Sequence, residues 1–266
     1  MTELTFLGIG AIIPAMAGDH TAILLRHGDA TILFDAGPAL EVQLDRVGVA
    51  PAEIDYVYLS HQHGDHTLGS PMLLFHHRQR VYIGAPPVLE AWRQLVEIVY
   101  PNYLSLIPDQ VSYHELALGE TNNWPGLADV TARIAPGDHS GLQAFALRLD
   151  FAAATGENPR PTFSLVYSGD TCPTASVVEL ARDADLLIHE ATFSETLNQV
   201  GGPMHTSARQ AGEIAQKAGV RTLALVHRLA GDREIWRSEA AAAFGGKILV
   251  PLAEDRITLP ETQIID

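Results

Sequence analysis

Cysteine is almost absent. Cys172 is the single one in 266 residues, which excludes an intramolecular disulfide framework and any thiolate-rich zinc cluster. Basic residues are scarce as well, 17 Lys and Arg against 32 Asp and Glu, for a formal net charge of -15. A protein that grips a polyanion neutralises several phosphates with clustered Lys and Arg. No such run occurs here, and two bound divalent cations would still leave the field strongly negative. Long nucleic acid is therefore disfavoured as a partner, with only an unadvertised local patch leaving it open. No stretch of about 18 uninterrupted apolar residues occurs, and the opening MTELTFLGIG lacks a basic segment ahead of an apolar run. The expectation is a soluble, unexported, cytoplasmic protein with no membrane partner. Low-complexity tracts and short-period repeats are missing too.

What is present is an ordinary globular profile, 47% hydrophobic and 18% charged, in a chain long enough to bury roughly 70–75% of its unfolded surface. Apolar strands alternate with amphipathic helices. ELTFLG and the hairpin TAILLRHGDATILFD, turning at Gly28 and Asp29, open the chain. A helix from Pro38 to about Val47 follows, then the strand IDYVYLS and a helix over TLGSPMLLFHHR. Further strands are expected at RVYIGA, VSYHEL, VTARIA, AFALRLDF, TFSLVYS, ADLLIHE and VRTLALV. The clearest helix is TSARQAGEIAQKAG, where Ser207 and Gln210 have capping-box spacing and Gly219 suits the residue after the C-cap. The loop AAATGENPRP reads as an exposed, mobile connection. This pattern is layered α/β. Two strand-rich halves, each delivering polar residues from strand ends, hint at an old duplication.

YLSHQHGDHTLG concentrates His61, His63, Asp65 and His66 where an apolar strand ends. A lone loop histidine is ordinarily a solvated side chain, but four candidate ligands in six residues are not explained that way. In an extended segment His61, His63 and Asp65 point one way, and a turn at Gly64 swings His66 round. One loop can thus serve two neighbouring ions. Imidazole and carboxylate without thiolate favour Zn, Mn or Fe in an open catalytic geometry. Such a loop cannot complete two coordination shells, so further ligands must come from later strand ends. ARIAPGDHSG supplies His139, LVYSGDTC supplies Asp170 and TLALVHR supplies His227.

These residues, in this order, resemble the metallo-β-lactamase-fold hydrolases, and the resemblance runs from FLGIGA to LAEDRITL. It implies a single domain over 1–266 with a four-layered αβ/βα sandwich, the metals lying between the sheets at one edge. One ion would take His61, His63 and His139, the other Asp65, His66 and His227, with Asp170 bridging. Asp35 in LFDAG would support the site without ligating. Two divalent ions, zinc first with manganese or iron as alternatives, would lower the pKa of a shared water and present hydroxide to the substrate. Asp65 would also orient the nucleophile or receive its proton. Glu190 in LLIHEATF and His205 in GGPMHTSARQAG are similar to two motifs of the ribonuclease Z branch, in which the glutamate orients a histidine that protonates the leaving group. A departing alkoxide requires such a donor. The blander alternative is a helix-capping Glu190 and an ordinary loop histidine.

The departures matter equally. The interval from His139 to Asp170 is short and scarcely basic where ribonuclease Z enzymes carry a long tRNA-gripping arm. LQAFALRL replaces a Gly-Tyr-Arg feature, and LVHRLAGD replaces the usual surroundings of the last histidine. The expected function is hydrolysis of small or cyclic phosphodiesters in preference to folded tRNA. Carboxylic ester, lactone or arylsulfate hydrolysis is the alternative on this fold, and an iron redox enzyme or a non-catalytic metal-binding protein the alternative outside hydrolysis. Retention of His63 argues against the redox branch, and retention of Asp65, Glu190 and His205 against loss of turnover. GIGAII lacks the third glycine of a dinucleotide fingerprint, with Ile13 in its place. His76 and His77 read as helix surface, His189 as a structural residue facing away from Glu190, and Cys172 as at most an adventitious soft ligand. The apolar excess in VLEAWRQLVEIVYPNYLSLIP reads first as core helix and second as a pocket or homodimer contact.

Overall fold

The computed structural model describes residues 2–13, 19–152, 161–197, 204–260 and 262–265. Strands β1 (Thr2–Gly8), β2 (Ala22–His27), β3 (Ala30–Phe34), β4 (Tyr56–Tyr58), β5 (Arg80–Gly84) and β6 (Val111–Glu115) pair in chain order. Strands β7 (Asn122–Asn123), β8 (Val130–Pro136), β9 (Phe145–Ala152), β10 (Pro161–Tyr167), β11 (Leu186–Glu190), β12 (Thr222–Val226) and β13 (Lys247–Leu249) form a second sheet, also in chain order. Strands β14 (Arg256–Leu259) and β15 (Gln263–Ile265) return to the first sheet and pair beyond β1. The helices are α1 (Leu40–Arg46), α2 (Gly64–Thr67), α3 (Pro86–Val99), α4 (Tyr103–Leu106), α5 (Ala175–Leu180), α6 (Ala208–Ala218) and α7 (Arg233–Ala241). Two multi-strand sheets with their helices make a mixed α/β architecture. No described helix is long and apolar enough to cross a membrane.

The chain divides into two compact units, Met1–Glu115 with Leu252–Asp266, and Leu116–Pro251. Each follows the same plan. In the first, β3, β4, β5 and β6 are parallel while β1, β2, β14 and β15 pair antiparallel. In the second, β10 to β13 are parallel while β7, β8 and β9 are antiparallel. A parallel strand buried on both faces reads as an unbroken apolar run, and β11 and β12 are buried at every position. Ala135, Val166, Leu187, Leu223 and Leu225 pack with Ile214, Ala215, Trp236 and Ala240 of α6 and α7. Truncating one of these leucines to alanine would cost about 2–5 kcal/mol.

The capping box at Ser207 forms as its spacing predicts. Ser207 Oγ accepts from Gln210 N at 3.3 Å and Gln210 Oε1 accepts from Ser207 N at 2.9 Å, while Gly219 closes the helix at φ 70°. The hairpin at Gly28 and Asp29 and the expected strands are all found. TLGSPMLLFHHR is not one α-helix: α2 ends at Thr67 and a 3-10 helix covers Ser70–His76. The Leu73 carbonyl accepts from the buried Arg80 guanidinium at 2.6 Å, which competes with continued α-helical bonding, and His77 leaves at φ 44°. His76 pairs with Glu41 at 2.6 Å. Of the loop AAATGENPRP, residues 153–160 lie outside the described residues.

Candidate functional site

In the first unit the ligand loop grows from the end of β4. His61 and His66 are fully buried and Asp65 is nearly so, with ring centroids 4.3 Å apart for His61 and His66 and 4.9 Å for His61 and His63. Asp65 and His66 do not sit on a simple turn as expected; they lie on α2, whose N-cap is His63. That short helix is held from below by a chain of hydrogen bonds. Trp92 Nε1 donates to Ser70 Oγ at 2.7 Å, Ser70 Oγ to the Thr67 carbonyl at 2.7 Å, and Thr67 Oγ1 to the His63 carbonyl at 2.9 Å. Gly69 lets the segment approach the strand end, since a Cβ there would stand 2.1 Å from the Gly37 carbonyl.

Asp35 follows β3 in the left-handed region at φ 55°, a conformation that Asp tolerates better than most residues. Its buried carboxylate accepts from Ser60 N at 2.8 Å, from Ser60 Oγ at 2.6 Å and from His66 Nδ1 at 2.7 Å. Ser60 Oγ also stands 2.9 Å from His61 Nδ1. Burial, with the Asp35 charge adding to it, holds the Tyr58 phenol well above its usual range.

The second unit brings His139, His205 and His227 together around Asp170. Strand β8 runs antiparallel to β9 and β9 antiparallel to β10, so His139 beyond β8 and Asp170 beyond β10 emerge at one sheet edge. Gly169, at φ 56°, turns the chain into Asp170. Asp170 Oδ2 lies 3.3 Å from His227 Nε2, 4.0 Å from His139 Nε2 and 3.8 Å from His205 Nδ1. Ligands about 2.0–2.1 Å from a tetrahedral ion are roughly 3.3 Å from each other, so the His227 and Asp170 spacing suits a common ion. His227 follows β12 at φ 53°, and strain of this kind collects at functional sites. His139 Nδ1 donates to the Met204 carbonyl at 2.6 Å.

Glu190 ends β11 and is almost wholly buried. Its carboxylate accepts from Thr171 N at 2.7 Å, Thr206 N at 3.0 Å, Thr192 Oγ1 at 2.7 Å and His205 Nδ1 at 3.1 Å. It therefore orients His205, and the helix cap is left to Ser207. His205 keeps 17% of its side chain exposed. Thr192 Oγ1 lies 2.8 Å from His227 Nδ1. His189 is fully buried, its Nδ1 donating to the Glu190 carbonyl at 2.7 Å, and burial lowers its pKa against the opposing pull of Glu190 and Asp170. Burial, with Asp138 and Glu190 adding to it, pushes the Cys172 thiol up, the reverse of what a nucleophilic thiolate needs.

The donors fit divalent transition metals. His61, His66, His139 and His227 each have Nδ1 engaged by a protein oxygen, the arrangement that orients Nε2 of a ligating histidine. No thiolate accompanies them, which suits an imidazole and carboxylate site. Ser60, Thr171, Thr192 and Thr206 were not singled out from the sequence. The usable signal was a hydroxyl residue one or two positions from a site residue.

Two mixed sheets whose strand ends carry buried histidine and aspartate clusters define a metal-binding class of α/β protein. The β-lactamase superfamily domain model matches residues 30–228. Ribonuclease Z of Natronomonas pharaonis is 30% identical over 303 aligned residues, covering 97% of this chain and 98% of that protein. Among solved structures, the metallo-β-lactamase fold protein YhfI from Bacillus subtilis has a TM-score of 0.79 at 23% identity, covering 97% of this chain and 100% of that one. Human tRNase Z, short form, has a TM-score of 0.74 at 20% identity, covering 97% and 99%. The chain belongs to the β-lactamase superfamily domain family, in its ribonuclease Z-like branch, and is a metallo-hydrolase.

Proposed function

We propose that the two units act as one domain over residues 1–266 and together hold two divalent ions, zinc first, in a hydrolase of small or cyclic phosphodiesters. One ion would be held by His61, His63 and His139, the other by Asp65, His66 and His227, and Asp170 would serve both. When bound, the pair would supply a water activated at neutral pH and offset charge on the phosphate oxygens. Asp65 would receive the nucleophile's proton. Glu190 accepts a hydrogen bond from Nδ1–H of His205, so the His205 imidazolium would give its Nε2 proton to the leaving oxygen and be left neutral, with the remaining proton on Nδ1 still donated to the carboxylate. This supplies the leaving oxygen with the proton that a poor leaving group needs.

The observation that carries the reading is the Glu190 to His205 hydrogen bond, in a chain that aligns with ribonuclease Z along nearly its whole length. Small substrates are favoured over folded tRNA by the acidic charge. They are favoured also because the alignment is longer than this chain, so the relative carries segments that are missing here. Half of the stretch between His139 and Asp170 is spent on β9 and β10. A homodimer remains part of the proposal: Phe75 meets Tyr100 and Tyr103 at 5.0 and 4.8 Å, beside exposed Met72, Ile98, Val99 and Leu106. Sedimentation at rising concentration tests it. A cytoplasmic setting suits the single cysteine.

The test is a parallel screen of activated phosphodiester, cyclic nucleotide, lactone, aryl sulfate and β-lactam substrates with Zn or Mn, repeated with His205→Ala. The wild type should turn over phosphodiesters best. The variant should lose roughly 10²–10⁴-fold on poor leaving groups and far less on a nitrophenyl diester. Equal losses on both would remove the proton-donor role, and preference for lactone or sulfate would remove the substrate class.

A further inference from the structure

We infer that Ser60 and Thr192 are positioning residues that set the tautomer of His61 and His227, and so hold each half of the ligand set ready for metal before any metal arrives. The inference rests on the ligand roles proposed above. Each unit contains the same device: a buried carboxylate, a hydroxyl beside it, and two histidines. In the first, Asp35 reaches His66 directly and His61 through Ser60. In the second, Glu190 reaches His205 directly and His227 through Thr192.

The direction of each relay follows from counting protons. An ionised carboxylate only accepts, and a hydroxyl has one proton to give. Ser60 Oγ is 2.6 Å from Asp35 Oδ2, so its proton is committed there, and its lone pair must receive Nδ1–H from His61 at 2.9 Å. Thr192 Oγ1 is 2.7 Å from Glu190 Oε2 and must likewise receive Nδ1–H from His227 at 2.8 Å. Both rings are thereby fixed with the proton on Nδ1 and the lone pair on Nε2. A neutral imidazole left to itself prefers the opposite tautomer, which would present N–H to a cation. Glu190 thus has a second task besides orienting His205: through Thr192 it prepares His227.

The experiment uses the full chain stripped of metal and labelled with ¹⁵N-histidine. Long-range ¹H–¹⁵N spectra read the tautomer of His227 in the wild type, Thr192→Val and Thr192→Ser, and that of His61 in Ser60→Ala. Zinc affinity is then read by competition with a chelator. The wild type should show Nδ1–H at both rings. Thr192→Val should move His227 toward Nε2–H and weaken zinc binding by roughly 10–100-fold, the usual size of such an outer-contact loss, and Thr192→Ser should restore both. Ser60→Ala should do the same at His61, which keeps the test decisive should the Thr192→Val chain fail to pack. An unchanged tautomer in Thr192→Val and Ser60→Ala would overturn the inference. So would a shifted tautomer with unchanged affinity, or failure of serine to rescue. Should the wild type bind no zinc at all, the ligand roles proposed above fail, and the spectra of the metal-free protein still decide the relays.

Discussion

Replacing Asp35 by alanine removes a side chain that touches no proposed substrate and yet should cripple the first half of the site. Three donors lose their acceptor at once: Ser60 N, Ser60 Oγ and His66 Nδ1, at 2.8, 2.6 and 2.7 Å. Hydrogen bonds to a charged group contribute about 1.5–3 kcal/mol each. The buried carboxylate's own desolvation, several kcal/mol, offsets part of their sum. Alanine also inherits the left-handed backbone at φ 55°, at about 1–2 kcal/mol. The net expectation is about 3–5 kcal/mol of lost stability, a large part of the ~5–15 kcal/mol of an ordinary domain. Urea unfolding with a chelator present isolates this effect from metal binding, and metal content is then read separately. A loss below about 1 kcal/mol together with wild-type metal content would refute the assignment of Asp35 as the anchor of Ser60 and His66.

Other expectations follow from single contacts. Ser207→Ala removes one arm of the capping box and should lower stability by about 1 kcal/mol, read as a shifted urea midpoint with unchanged slope. His189 has a lowered pKa in the folded chain because of burial. The unfolded chain therefore binds a proton near pH 6.5 that the folded one refuses. Above that pH the group contributes no pH dependence; below it, stability falls as pH falls toward the folded pKa, by up to about 1.4 kcal/mol per pH unit. In chelator-treated protein, His189→Gln should flatten the fall in urea midpoint between pH 7.5 and 5.5, and an unchanged profile would contradict this.

Much of the site is legible in the amino-acid sequence, because ligands at strand ends leave a local signature: apolar residues, then His or Asp, then a turn. His61, His63, Asp65 and His66 lie in one stretch, and His139, Asp170 and His227 each close a run of their own. The capping box of α6 is legible for the same reason. What escapes such reading is decided by distant partners. Strands β14 and β15 pair beside β1, across almost the whole length of the chain, and no local pattern marks that. The 3-10 helix at Ser70–His76 reflects the Arg80 side chain taking the Leu73 carbonyl, a contact invisible to periodicity. Ser60 and Thr192 resemble any other hydroxyl residues until Asp35, Glu190 and the histidine rings are seen around them.

The central claim, that both units contribute to one dinuclear hydrolytic site, is tested most directly by elemental analysis and phosphodiesterase assay of the same purified samples. The wild type should carry about two transition-metal ions per chain. His61→Ala in the first unit and Asp170→Ala in the second should each lose metal and activity together. A metal-free preparation with full activity, or variants that keep both metal and turnover, would contradict the account.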